Sequence, residues 1–399
     1  KDARKFYTIP QELRMKARRE KDADARTKLL DEATAAEKEA NEKAPALFKE
    51  VLKDHAGTAA AGNAALELIG RAAKIQATPA EVESWAKAAF DSAGNYGPRL
   101  QAHAVGILAN SLVGQKGYEA LAIPYAEKLT ADEKQPAAKL VNAMKVLAVA
   151  QSAAGLADAA AATQKKIDAM ELKLDEEYVA KVPPYKPTKF EGRKDEKANR
   201  VVLVELFTGA QCPPCVAADI GFDGLVKAYE PKDVVLLQYH MHIPGPDPLT
   251  NPDTVARWKY YGGLHADKVR GTPTALFNGT PNAGGGGGMD LSEKKFEQFK
   301  GLIDPLLEEK TDVSRTPTPT GTNGSSSATA TVGGIKEPKN EHKLRFVLIE
   351  DNVRYLGGNG VRFHHHVVRS FMGTGDGVKV KDLKDGKFST TLKVADLKK

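Results

Sequence analysis

The spacing of apolar and polar positions divides the chain into stretches of different period. Gln11–Asp54 is built from Ala, Glu, Lys, Arg and Leu, all strong helix formers, and its first part, KARREKDADARTKLLDEATAAEKEANEK, is polar nearly all round. One long helix or two are expected there, largely solvated, with Pro45 starting a second piece. Such a charged helix is usually a solvated face, and an oligomerisation helix is the alternative. From Thr58 to Lys173 helical signals repeat. Thr78-Pro79-Ala80-Glu81 reads as an N-cap, a proline in the first turn and a reciprocating Glu, and Thr130-Ala131-Asp132-Glu133 as a second such start. Breaks at His55-Ala56-Gly57, Asn95-Tyr96-Gly97-Pro98, Gly114 to Gly117 and Gly155 leave about six helices at a rough period near 38.

Beyond Glu176 the pattern changes. Pro183-Pro184-Tyr185-Lys186-Pro187 followed by EGRKDEKANR predicts a partly extended linker. Val201–Lys310 then alternates strands and helices. Strands are expected at Val201–Phe207, Asp233–His240 and Thr274–Phe277, and helices at Val216–Tyr229, Asn251–Tyr261 and Leu291–Glu309. Asp312–Ser327, rich in Thr, Pro, Ser and Gly, reads as a loop or edge segment. Short alternating runs at Ala328–Val332, Lys343–Glu350, Phe363–Phe371 and Lys387–Val394 are strand signals. Gly357-Gly358-Asn359-Gly360 and Gly373–Gly377 are turns between them. The division that follows is a helical domain over 1–180, a linker over 181–198, an α/β domain over 199–310 and a small sandwich-like β domain over 311–399.

With 399 residues, more than one core is expected. The net charge of +6 is mild and spread along the chain, which leaves no nucleic-acid footprint. No apolar run approaches the roughly 18 residues of a membrane span. A chain that opens on Lys1 without Met is compatible with a removed signal peptide.

The chemistry concentrates in VVLVELFTGAQCPPC, residues 201–215, which holds the only two cysteines. A cysteine at a helix N-terminus meets unsatisfied amides and the positive end of the dipole, which favour thiolate over thiol. That makes Cys212 the attacking nucleophile and Cys215 the resolving thiol. Pro213 and Pro214 supply no amide donors to the loop. A buried inert pair or half a metal site are the alternatives. His364 and His366 are expected on one strand face, as are His240 and His242. With no third ligand evident, structural or interface histidines are the better reading, and no metal site is assigned. The glycine run Gly284–Gly288 lacks the context of a phosphate loop and reads as a flexible turn.

A buried strand, a CxxC at a helix start and, about 60 residues on, Gly271-Thr272-Pro273-Thr274 leading into an apolar strand resemble the thioredoxin fold. The resemblance implies a cis Pro273 opposite the CxxC, with Thr272 presenting backbone atoms to an extended substrate. It also points to Glu205 as the nearest equivalent of the family's buried acid, a proton shuttle for the resolving cysteine; the alternative is a Glu205 that points outward or pairs with a Lys. Departures are Gln211 where many members carry Trp and the Pro-Pro pair inside the CxxC. More broadly, VELFTGAQCPPC, YHMHIPGPDPLTNPDTVARWKYYG and LRFVLIEDN…FHHHVVRSF are similar to the outer-membrane-protein-related thioredoxin-like proteins of bacteria. Their β-domain signature falls here on Val347, Glu350, Asp351, His364, His366, Val367 and Arg369. That likeness implies an exported, periplasmic or envelope protein, in a family whose β domain extends further at its C-terminus. The helical repeats resemble a degenerate tetratricopeptide-like solenoid in architecture, which would offer a binding surface; the alternative is a helical bundle that only packs on the next domain.

The expectation is thus a multidomain chain: an all-α repeat-like domain, an α/β thioredoxin fold and a small β domain. Its expected activity is thiol–disulfide exchange on protein thiols and disulfides, with no organic cofactor. The helical domain would hold a protein partner or a second copy. The alternatives are a non-catalytic component of an envelope assembly, a peroxidase and a metal chaperone.

Overall fold

The structure, a computed structural model, describes residues 2–20, 22–322, 325–335, 342–373 and 376–393. The chain divides into two compact units, Lys1–Glu176 and Glu177–Lys399.

The first unit is helical throughout. Helices α1 (Asp2–Arg19) and α2 (Ala23–Asp54) form the polar N-terminal stretch. The break between them falls near Asp22, which caps α2 by accepting from the Ala25 amide, and Pro45 sits inside α2 instead of starting a new piece. Then follow α3 (Ala59–Ile69), α4 (Pro79–Gly94), α5 (Pro98–Val113), α6 (Ile123–Thr130), α7 (Ala137–Ala153) and α8 (Ala157–Lys181), the last crossing the boundary between units. The capping box expected at Thr78 and Glu81 is present. The one expected at Thr130 is not: Thr130 ends α6, and α7 starts only after Pro136. Proline disfavours helical geometry in the residue before it, so a helix begun at Ala131 would be cut short at Gln135. Consecutive helices pack around Leu68, Ile69, Val82, Leu108 and Leu112, with small alanines between them allowing close approach.

The second unit is an α/β structure around a mixed six-stranded sheet. Strands β1 (Val202–Thr208) and β2 (Val234–His240) are parallel, and β3 (Thr274–Phe277) runs antiparallel to β1 and carries β4 (Thr280–Gly284) outside it. Helices α9 (Val216–Ala228), α10 (Pro252–Leu264) and α11 (Ser292–Leu307) cover it. Alternation along β1 sorts its side chains between two cores. Val202, Val204 and Leu206 pack with Phe222 of α9 and with Phe296 and Phe299 of α11. Leu203 and Phe207 pack on the other face with Tyr261 and Trp258 of α10.

Strands β5 (Ser314–Thr322) and β6 (Ser325–Gly333) follow. Of the two readings of this stretch, a loop or an edge segment, the second is the one found: β5 is an edge strand, paired with β6. The expected turn residues 374–375 and the end of the last strand at 394 lie outside the described residues. Strands β7 (Lys343–Leu344), β8 (Phe346–Arg354), β9 (Phe363–Met372), β10 (Val378–Lys379) and β11 (Lys387–Lys393) complete the order. β7 pairs with β10, and β11 with β6. The hairpin β8–β9 does not belong to a separate β domain, as the sequence suggested. It extends the α/β sheet, giving the order β4-β3-β1-β2-β9-β8. The join is narrow: β2 and β9 meet in register only at Gln238 and Val367. His366, next to that pair, takes a left-handed φ of 52° and places its Nδ1 3.2 Å from the Leu236 carbonyl oxygen. The expected linker is likewise part of the unit, with Tyr185 and Phe190 packed on the α9–α11 core.

Candidate functional site

A turn carries the chain from the C-terminal end of β1 into a short 3-10 turn, Pro213–Cys215, and then into α9. Two prolines cannot donate within that turn, and the Cys215 amide donates to the Cys212 carbonyl. Cys212 and Cys215 form a disulfide with their Cα atoms 5.4 Å apart. Cys212 is 3% exposed and Cys215 fully buried. The Thr272–Pro273 peptide bond is cis. It lies beside the disulfide, with the Thr272 hydroxyl oxygen 3.5 Å from the Cys212 Sγ. Four residues expected to form a site, Cys212, Cys215, Thr272 and Pro273, are therefore brought together.

The fifth, Glu205, is not. It lies on the α10 face of β1, while the neighbouring Leu206 faces α9. Arg257 of α10 holds its carboxylate in a two-pronged pair, Nε to Oε1 at 2.8 Å and Nη2 to Oε2 at 3.0 Å. The hydroxyls of Tyr239 and Tyr261 donate to it as well. A buried carboxylate with a guanidinium and two phenols is fully satisfied, so it is a structural anchor between β1, β2 and α10 and not a proton shuttle for Cys215.

The buried acid on the cysteine side of the sheet is Asp219, which sequence reasoning missed. It stands four residues after Cys215, one helical turn along the same face, and is 1% exposed. Burial pushes its carboxyl well above its usual range, and the nearby Asp223 and Asp247 add to that. Its Oδ2 has no hydrogen-bond partner. From its Oδ1 a buried chain of hydrogen bonds leads away. Gln238 Nε2 donates to Asp219 at 3.3 Å, Gln238 Oε1 lies 3.3 Å from His240 Nε2, and His240 Nδ1 lies 3.0 Å from Asp247 Oδ2. The Asp247 carboxylate in turn accepts from the Ala210 amide at 2.7 Å, two residues before Cys212. Burial works against the Asp247 charge, but the His240 contact and the amides of Ala210 and Leu249 outweigh it and hold its carboxyl below the usual range. The sequence signal for Asp219 was an acid four positions after a CxxC cysteine, in the largely apolar first half of the helix.

Two glycine loops close over the pair. Gly287 donates its amide to the Pro214 carbonyl at 2.7 Å and accepts from the Ala217 amide at 2.9 Å. A Cβ on Gly286 would lie 2.0 Å from the Pro214 carbonyl oxygen, so the run read as a flexible turn is a fitted lining. From the other side Asn359 Nδ2 reaches the carbonyls of Gly209 and Cys212 at 3.3 and 3.4 Å. A Cβ on Gly357 would lie 2.3 Å from the Ala210 carbonyl oxygen.

The histidines are structural in their contacts. His364 stands edge-on to His240 with ring centroids 4.8 Å apart and places Nε2 3.0 Å from the Tyr355 carbonyl. Burial above all, then His240, lowers its pKa to about 3. His365 lies on the other side of the strand, with Nδ1 2.7 Å from Asp223 Oδ1. His366 does not share a regular strand face with His364, because its left-handed φ breaks the alternation. Among the described residues no group of three or more His, Cys, Asp or Glu is placed to hold a metal ion. Of the other signature positions, Glu350 and Arg369 pair across β8–β9 at 3.4 Å.

No family model matches the chain, and no curated protein matches it. Two solved structures do so weakly. A protein of Agrobacterium tumefaciens, determined by a structural genomics consortium, matches at 16% identity and a TM-score of 0.33, over 49% of this chain and 79% of that one. HBP35 of Porphyromonas gingivalis matches at 16% identity and a TM-score of 0.34, over 49% of this chain and 65% of its own length. Among the described residues no helix is long and apolar enough to cross a membrane.

Proposed function

We propose that this protein is a thiol–disulfide oxidoreductase of thioredoxin type, acting on protein thiols and disulfides in the periplasm or cell envelope. The observation that carries the reading is the contact of Cys212 Sγ with Thr272 beside the cis Pro273, just before the 3-10 turn that leads into α9. In the disulfide form a substrate thiolate attacks Cys212 Sγ. The Cys212–Cys215 bond breaks, a mixed disulfide forms, and Cys215 leaves as thiolate. Neutral Asp219, one turn along the helix, supplies the proton to that leaving sulfur and takes it back in the reverse step. The second substrate sulfur, having lost its proton to solvent, then attacks the first as thiolate; the mixed disulfide breaks, Cys212 leaves as thiolate and the substrate keeps the disulfide. The helical unit holds the protein partner.

The test is a trap. Cys215→Ser removes the resolving sulfur, so the free Cys212 thiolate should attack a disulfide-bonded peptide substrate, displace one of its sulfurs as thiolate and accumulate as a mixed disulfide, seen as a mass increment. Cys212→Ser should accumulate none. Absence of any adduct on Cys215→Ser, at a Cys212 shown to be free, contradicts the reading. A second reading, a non-catalytic envelope component with a permanent local disulfide, is favoured by the 3% exposure of Cys212 under its glycine loops.

A further inference from the structure

Away from the disulfide, the narrow join of β2 and β9 leaves an opening in the sheet. The two strands pair only at Gln238 and Val367 and then part. Between them lies a cleft of about 860 Å³, a size typical of small-molecule sites. Leu203, Val235, Leu237, Val347 and Ile349 supply apolar wall. Two arginines also line it, Arg257 from α10 and Arg345 at the start of the β8 hairpin. Both approach one ring: their guanidinium carbons lie 5.1 and 5.6 Å from the centroid of Tyr260.

The charges there do not balance. Arg257 is 8% exposed and spends Nε and Nη2 on Glu205, yet its Nη1 is buried with no hydrogen-bond partner. The Nε of Arg345 is also buried without a partner. One carboxylate thus serves two guanidinium groups. The other lining charges, Lys227 and Lys343 against Glu230 and Asp351, cancel formally. A buried donor left unpaired is costly, and a charged one more so. Burial, followed by the charge of Arg257, lowers the pKa of Arg345 from its ordinary value, as expected for a cation that lacks its counter-ion.

We propose that this cleft binds a monocarboxylate carried on an aliphatic chain. The single excess positive charge matches one carboxylate, whose planar oxygens suit guanidinium donors. The apolar wall takes the chain. The site is independent of the thiol chemistry, and its test does not involve the cysteines.

Dodecanoate, titrated into the full-length disulfide form against a fluorescent fatty acid, should bind saturably with one site per chain. Dodecanol, which keeps the chain and loses the charge, should bind at least about tenfold more weakly. Arg345→Ala should weaken dodecanoate by at least about tenfold and leave dodecanol unchanged. Arg345→Gln, which keeps part of the stem packing, should do the same, and circular dichroism checks that each variant is folded. Arg257 is left intact because its loss would strand Glu205. Absence of saturable dodecanoate binding, equal binding of dodecanol, or an undiminished affinity in both folded Arg345 variants would each overturn the proposal.

Discussion

Two carboxylates a few ångströms from the same strand have opposite fates because their surroundings differ. Glu205 is met by Arg257 and two phenols, whereas Asp219 is met by neutral donors and by other acids. The sign for Asp219 follows from that. Its native pKa is raised, so the folded chain holds a proton that the unfolded chain has lost above about pH 3.9. Its contribution to stability is present below that unfolded value and falls away as pH rises through the folded one. Asp219→Asn, a permanent neutral mimic, should therefore be more stable at pH 7.5, by on the order of 1–3 kcal/mol. It should also slow thiol exchange by about 100-fold or more. Urea midpoints and stopped-flow exchange rates measure the two, and an unchanged exchange rate would remove Asp219 from the mechanism.

Neighbouring histidines titrate in contrary directions. Burial pulls His365 down, but its hydrogen bond and attraction to Asp223 outweigh burial and leave its pKa raised. That contribution is present below the unfolded value of about 6.5 and is lost as pH rises through the folded one. His364, held near 3, works the other way: stability is lost as pH falls from about 6.5 toward that value. In denaturation across pH 5 to 8.5, His365→Gln should lose most at the acid end. His364→Gln should flatten the acid-side loss. Identical slopes in the two variants would contradict both assignments. At this scale the cysteines were legible from residue type and spacing, and Thr272-Pro273 only through the resemblance to the thioredoxin fold, since alone it reads as a turn before a strand. Asp219 was not, since partners from β2 define its role.

Among the elements, the buried strands and helices of the α/β unit were legible from periodicity. β3 starts and ends where expected, and α9 within one residue of it. What periodicity could not tell is what the glycines touch. A glycine run looks like slack chain, yet Gly286 and Gly357 fit against backbone oxygens of the CxxC region where no side chain has room. Gly357→Val should push the 357–360 loop off Ala210 and break the Asn359 contacts. Reduced protein should then be alkylated at Cys212 several-fold faster, and stability should drop by about 1–3 kcal/mol. An unaltered alkylation rate, followed by mass spectrometry, would show that this loop does not shield the sulfur. The same blindness to long-range pairing hid the β8–β9 hairpin, whose alternation predicts a strand but not that it would extend a sheet begun at Val202.

For the whole molecule, the helical first unit and the α/β second unit were foreseen, while the boundary expected near residue 310 was not where the chain divides. Composition changes at 311, but pairing of β9 with β2 binds residues on both sides into one sheet. The central claim is that the disulfide in this second unit is exchangeable and not a permanent staple. Its equilibrium potential settles that: the full chain is brought to equilibrium in glutathione buffers, acid-quenched, and its thiols counted by mass. An exchanging pair should fall between about −270 and −120 mV, the span of known dithiol oxidoreductases. A value below about −300 mV, the range of structural disulfides, would contradict the account.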